Sequence, residues 1–101
     1  CVVDARAVPV LPGAWEAADA CLYTAAGQRN RNHTGPFVRF ENVPFPMEEI
    51  LFDPQTSGGL LLAAAPQKAE ALAQELRAAG LPAAIVGEIR DAQPTEITVK
   101  Y

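Results

Sequence analysis

The residues best suited to chemistry lie between Asp53 and Gly59. Asp53-Pro54-Gln55-Thr56-Ser57-Gly58-Gly59 places a carboxylate, a carboxamide, two hydroxyls and two glycines directly ahead of an apolar run. Glycines admit close approach of a ligand to the main chain, and successive backbone N–H groups can converge into an anion-binding nest. Asp53 can cap the turn or hold a cation-bound group. The same residues equally make a tight turn whose Asp and Ser satisfy their own backbone. No Gly-Lys-Ser/Thr follows, so this is not a Walker loop.

A second polar stretch, Gln28-Arg29-Asn30-Arg31-Asn32-His33, carries the chain's only basic cluster. Arg29 and Arg31, set among Gln28, Asn30 and Asn32, suffice to hold one phosphate or one carboxylate. They are too few for a nucleic-acid footprint, and a net charge of −4 argues against one. The alternative is a surface loop held by its own hydrogen bonds. His33, the single histidine, has no nucleophile or carboxylate obviously paired with it and reads as a solvated loop residue.

Cys1 and Cys21 lack CxxC or Cys/His spacing, which excludes a zinc finger or ribbon. They read most simply as free thiols in a reducing cytosol, with a Cys1–Cys21 disulfide as the alternative. Cys21 is expected inside a helix as a small core residue and Cys1 is the first residue of the chain, so neither is assigned as a nucleophile. No catalytic residue and no metal ligand set is assigned anywhere. The longest apolar run, Gly58 to Pro66, falls far short of the ~20 residues that span a bilayer. A soluble, cytoplasmic chain is expected.

These groups must be positioned by a small number of elements. The 101 residues suit one domain, residues 1–101, with half of the residues hydrophobic and a fifth charged. Val2 to Val10 reads as a strand, and Trp15 to Ala26 as a helix closed by Gly27. Gln28 to Gly35 reads as irregular, Phe37 to Phe40 as a short extended piece and Met47 to Phe52 as a short helix. Leu60 to Ala65, unbroken and apolar, suits a central strand. Pro66 to Ala79 is the clearest element, a helix opened by Pro66, striped by Ala69, Leu72, Ala73, Leu76 and Ala79, and ended by Gly80 and Pro82. Ala83 to Ile89 and Glu96 to Tyr101 alternate as strands. The pattern predicts an α/β fold, a mixed sheet of about four strands with helices mainly on one face. The Leu60 to Ala65 strand should return through a right-handed parallel crossover, and the last two strands should form an antiparallel hairpin with Glu96 to Tyr101 near an edge. Trp15, Phe37, Phe40, Phe45 and Phe52 read as packing residues.

The nine residues from Asp53 to Leu61 (Asp-Pro-Gln-Thr-Ser-Gly-Gly-Leu-Leu) resemble the signature of the carboxy-terminal domain of selenide, water dikinases, within the aminoimidazole ribonucleotide synthetase-like superfamily. Ala25 to Asn32 resembles that family's glycine-and-asparagine stretch, and the Ala-rich helix with its closing strands resembles the family's end. The resemblance implies an enzyme that makes selenophosphate from selenide, ATP and water, releasing AMP and phosphate. It implies magnesium on the ATP phosphates, an amino-terminal ATP-binding domain as partner in the same chain, and a homodimer formed through that domain. In that setting Asp53, Gln55, Thr56, Ser57, Gly58 and Gly59, with Arg29, Asn30, Arg31 and Asn32, would line the cleft near the phosphates. The family's reactive Cys or selenocysteine, its nearby Lys and its magnesium-holding aspartates lie in segments that nothing here matches. The chain also lacks an initiator Met, so upstream sequence and a domain trimmed at its front are expected, and the 101 residues alone should be inactive. The alternatives are a non-catalytic interface module, or a domain of a sister enzyme such as thiamine-phosphate kinase, which the Asp53 to Leu61 signature disfavours.

Overall fold

The structure, a computed structural model, describes residues 1–55, 57–91 and 96–101. Its elements run β1 (Val2–Asp4), a 3-10 turn (Ala5–Ala7), α1 (Ala14–Asp19), α2 (Ala25–Thr34), a second 3-10 turn (Gly35–Phe37), β2 (Val38–Glu41), α3 (Phe45–Phe52), α4 (Pro66–Ala78), β3 (Gly87–Glu88) and β4 (Ile97–Lys100). The α/β class and the mixed four-stranded sheet are as the sequence predicts. The strand order is β2-β4-β1-β3, with β4 parallel to both β2 and β1, and β3 antiparallel to β1.

Register decides which side chains meet. Phe40 stands beside Val99, and Val99 beside Val3; Val38 stands beside Ile97. Because strand side chains alternate, these five share one face. Met47 of α3 is buried against that face together with Ala5 and Val99, and Ile50 and Leu51 pack around them. Burying Met47 or Val99 contributes roughly 1.5–3 kcal/mol each. Both α1 and α2 pack in turn on α3. The opposite sheet face is polar: Asp4, Lys100 and Glu41 align across three strands, and Lys100 Nζ lies 3.3 Å from Glu41 Oε2.

Several sequence expectations are corrected. The strand expected over Val2 to Val10 stops at Asp4, whose carboxylate accepts from the Arg6 N–H at 3.0 Å and caps the 3-10 turn. The expected helix from Trp15 to Ala26 is two helices. Cys21 has φ 61°, and its N–H and that of Leu22 donate to Ala18 and Ala17 carbonyls at 3.0 and 2.8 Å. This is a Schellman end built on a cysteine instead of the usual glycine. Cys21 is therefore exposed, not a core residue, and both cysteines are free thiols. Thr24 then caps α2, accepting from the Gly27 N–H at 2.9 Å, so Gly27 opens a helix and does not close one. The stretch from Gln28 is helical through Thr34, not irregular.

β4 is an inner strand, not an edge strand, and its neighbours are β1 and β2, so no hairpin joins it to β3. The connecting residues 92–95 lie outside the described residues. β3 pairs with β1 because Gly87 permits it. A Cβ built on Gly87 would stand 2.1 Å from the Val2 carbonyl oxygen, so only glycine fits this approach. The strand expected over Ala83 to Ile89 is thereby reduced to two residues.

Leu60 to Ala65 is not a strand at all. Leu60, Leu61 and Leu62 are 86%, 80% and 56% exposed. An apolar run supplies the side chains of a buried strand but not the neighbouring backbone that must pair with it. With no strand there, the expected parallel crossover has no starting point. Among the described residues, no helix is long and apolar enough to cross a membrane.

Candidate functional site

The two polar stretches meet where the start of α2 crosses the end of α3. Asp53 is the residue at which α3 ends. Its Oδ1 accepts the Thr24 hydroxyl at 3.1 Å. Gly27 lies close to the same place: a Cβ there would be 3.8 Å from both Asp53 Cα and the Phe52 carbonyl oxygen. Asn30 Nδ2 donates to that Phe52 carbonyl at 2.9 Å. The last carbonyls of a helix have no partner within the helix, so Asn30 satisfies one of them and fixes how the chain leaves α3.

Next along α2, Arg31 faces two carboxylates of α3 with Nη1 and Nε, while its Nη2 is buried without a hydrogen-bond partner among the described residues. Its Nη1 lies 2.9 Å from Glu48 Oε2 and its Nε 2.7 Å from Glu49 Oε1. Its guanidinium carbon sits 5.2 Å from the Phe45 ring centroid and 4.8 Å from that of Phe52, both within cation–π range. The Glu49 side chain is only 1% exposed, and its second oxygen accepts from Gln28 Nε2 at 2.6 Å. A carboxylate this deep is tolerated because a cation and a donor stand against it. Arg31, offered by the sequence as a phosphate ligand, bridges Glu48 and Glu49 of α3.

The remaining sequence-assigned residues stand in the open. Arg29 and Asn32 are exposed on α2, and their side chains make no hydrogen bond or ion pair among the described residues. Gln55, Ser57, Gly58 and Gly59 are exposed. The Gly58 N–H donates to the Gln55 carbonyl at 3.1 Å, closing a turn in which Ser57, with φ 56°, takes the left-handed conformation. Neither glycine of the pair is left-handed; Gly58 matters because a Cβ would come within 2.7 Å of Gln55 Cβ. Thr56 lies outside the described residues. The structure thus brings Asp53 and Asn30 to one junction, sets Arg31 next to it on α2, and leaves Ser57, Gly58 and Gly59 exposed.

Thr24, Glu48 and Glu49 were not picked out from sequence. Thr24 carried a readable signal, since threonine three residues ahead of Gly27 is an N-cap pattern. Glu49 carried none, because burial of a charge depends on a partner distant in sequence. Among the described residues, no group of three or more His, Cys, Asp or Glu is arranged to hold a metal ion. Asp53 alone does not make a magnesium site.

Comparison with known proteins agrees with this architecture. Residues 13–100 match the family model described as AIR synthase related protein, C-terminal domain. A selenide, water dikinase of Agathobacter rectalis is 58% identical over 87 residues, covering 85% of this chain and 25% of the relative. One from Desulfitobacterium hafniense strain Y51 is 40% identical over 98% of the chain and 29% of its own length, and one from Pelobacter propionicus 44% identical over 97% and 29%. The chain therefore spans between a quarter and a third of the length of these three curated relatives. With its match from residue 13 to residue 100 and its α/β sheet, the chain belongs to the AIR synthase related family, as a carboxy-terminal domain.

Proposed function

We propose that this chain is the carboxy-terminal part of a selenide, water dikinase, and that it closes one wall of a phosphate-handling cleft without supplying the nucleophile. The whole enzyme would convert selenide, ATP and water to selenophosphate, AMP and phosphate. It would work in the cytoplasm as a homodimer, with magnesium carried on the ATP phosphates and held by residues outside this chain. The observation that carries the proposal is the junction at Asp53. A carboxylate pinned by Thr24 stands at the head of a turn in which Ser57, Gly58 and Gly59 are exposed, offering a hydroxyl and backbone amide donors. Donors fixed before a phosphoryl group arrives stabilise its charge without reorganising. Arg29 is the cation of α2 left uncommitted among the described residues, so it is the better candidate than Arg31 to reach a phosphate oxygen.

Asp53→Ala or Thr56→Ala in the full-length protein should lower selenide-dependent ATP turnover, measured as AMP release. Wild-type turnover in both variants would leave the loop a purely structural role. The 101-residue chain by itself should release no AMP.

A second reading, an interface module that positions a neighbouring domain, is favoured by the exposed Leu60, Leu61 and Leu62. Contiguous exposed apolar surface marks sites that bind another protein surface. Light scattering on the 101-residue chain tests it, and a clean monomer at high concentration would argue against such a seam.

A further inference from the structure

We propose that Arg31 is a positioning residue for the Asp53–Gly59 loop: from α2 it grips α3 and sets where Asp53 stands, without touching ligand itself. The proposal rests on the reading that this loop closes over a phosphate.

Most of the guanidinium is committed to α3, and its remaining nitrogen, Nη2, is buried and without a hydrogen-bond partner among the described residues. Two of its nitrogens face the carboxylates of Glu48 and Glu49, and its carbon lies near two aromatic rings. What these contacts do is lock two helices together. Glu48 and Glu49 are successive on α3 and so project about 100° apart around the helix axis. One planar cation spanning both fixes the rotation of α3 as well as its distance from α2. On α2, Gln28 and Arg31 are three residues apart and share a face, and both reach Glu49. Asp53 follows Glu49 by one turn of chain. It is held by Thr24, one cap before the helix that carries Arg31. The junction is therefore fastened at two points, the ion pairs at one end and the Thr24–Asp53 hydrogen bond at the other, with Asn30 holding the Phe52 carbonyl between them. Releasing the ion pairs lets α2 shift on α3 and carries Asp53 with it.

The test is a cycle of variants in the full-length protein. Arg31→Met and Glu49→Gln are made together, so that Glu49, the buried carboxylate, is not left as a charge without its cation; Glu48, which is partly exposed, loses its ion pair. The thermal midpoint confirms that the protein is folded at the assay temperature. The expected result is a kcat for selenide-dependent ATP turnover lowered by about 10-fold to 100-fold, the range that a misplacement of about 1 Å produces. Added to Asp53→Ala, the pair should cause no further loss, because the clamp acts only through the loop. A merely structural role would change the folded fraction and leave kcat per folded molecule unmoved. Wild-type kcat in the pair variant beside an impaired Asp53→Ala, or losses that simply add, would overturn the inference and leave the loop reading standing. Wild-type turnover in Asp53→Ala would overturn both. Should the pair variant fail to fold, Arg31→Lys keeps the charge but cannot bridge two carboxylates, and the same cycle decides.

Discussion

The junction of α2 with α3 and the run from Leu60 to Ala65 are neighbours in sequence but opposite in character. At the junction, polar side chains of high desolvation cost are paired: Glu49 with Arg31 and Gln28, Asp53 with Thr24, the Phe52 carbonyl with Asn30. In the run, side chains that gain most from burial have little of it, with Leu60 and Leu61 at least 80% exposed. A polar residue within a folded unit finds a partner locally, by hydrogen bonds that two adjoining helices can supply. A buried strand needs a backbone edge beside it, and the run pairs with no strand of this sheet. The contrast shows that hydrophobicity states a demand for burial and does not say what meets it.

The comparison can be broken most sharply at Arg31. Arg31→Ala would leave Glu49 as an unpaired buried charge, and we expect a loss of about 3–5 kcal/mol of stability in chemical denaturation. A loss within error would mean that Glu49 is not buried as a charge. Asn30→Ala should cost about 1–3 kcal/mol by orphaning the Phe52 carbonyl; faster amide exchange confined to the end of α3 would localise the effect. Cys21→Gly should work in the other direction, gaining about 1 kcal/mol by relieving a left-handed non-glycine residue. An unchanged denaturation midpoint would refute the Schellman end. The smallest effect belongs to the exposed run. Leu61→Gln should alter the stability of the 101-residue chain by no more than about 0.5 kcal/mol, while reducing any concentration-dependent association seen by sedimentation. A large loss of stability would show that Leu61 is packed after all.

Much of this was legible beforehand where short-range patterns decide. The helix from Pro66 was readable from its stripe and from Gly80, which indeed takes φ 82° at the helix end. The alternation of Ile97, Thr98 and Val99 marked β4, and the polar turn after Asp53 was located correctly. The split between α1 and α2 was hidden because a cysteine occupies the place where glycine would announce a helix end. At the corresponding end of α4, where Gly80 holds that place, the break is legible to within one residue.

What the sequence determined by itself is therefore local. It set the class of fold, the positions of the chemically rich loop and the family signature, since each depends on spacing within a few residues. The tertiary structure alone decided that β4 lies inside the sheet, that Arg31 faces two glutamates of α3, and that Leu60 to Ala65 joins no strand of the sheet. Each of those depends on which distant backbone or side chain arrives alongside, and no spacing along the chain encodes it.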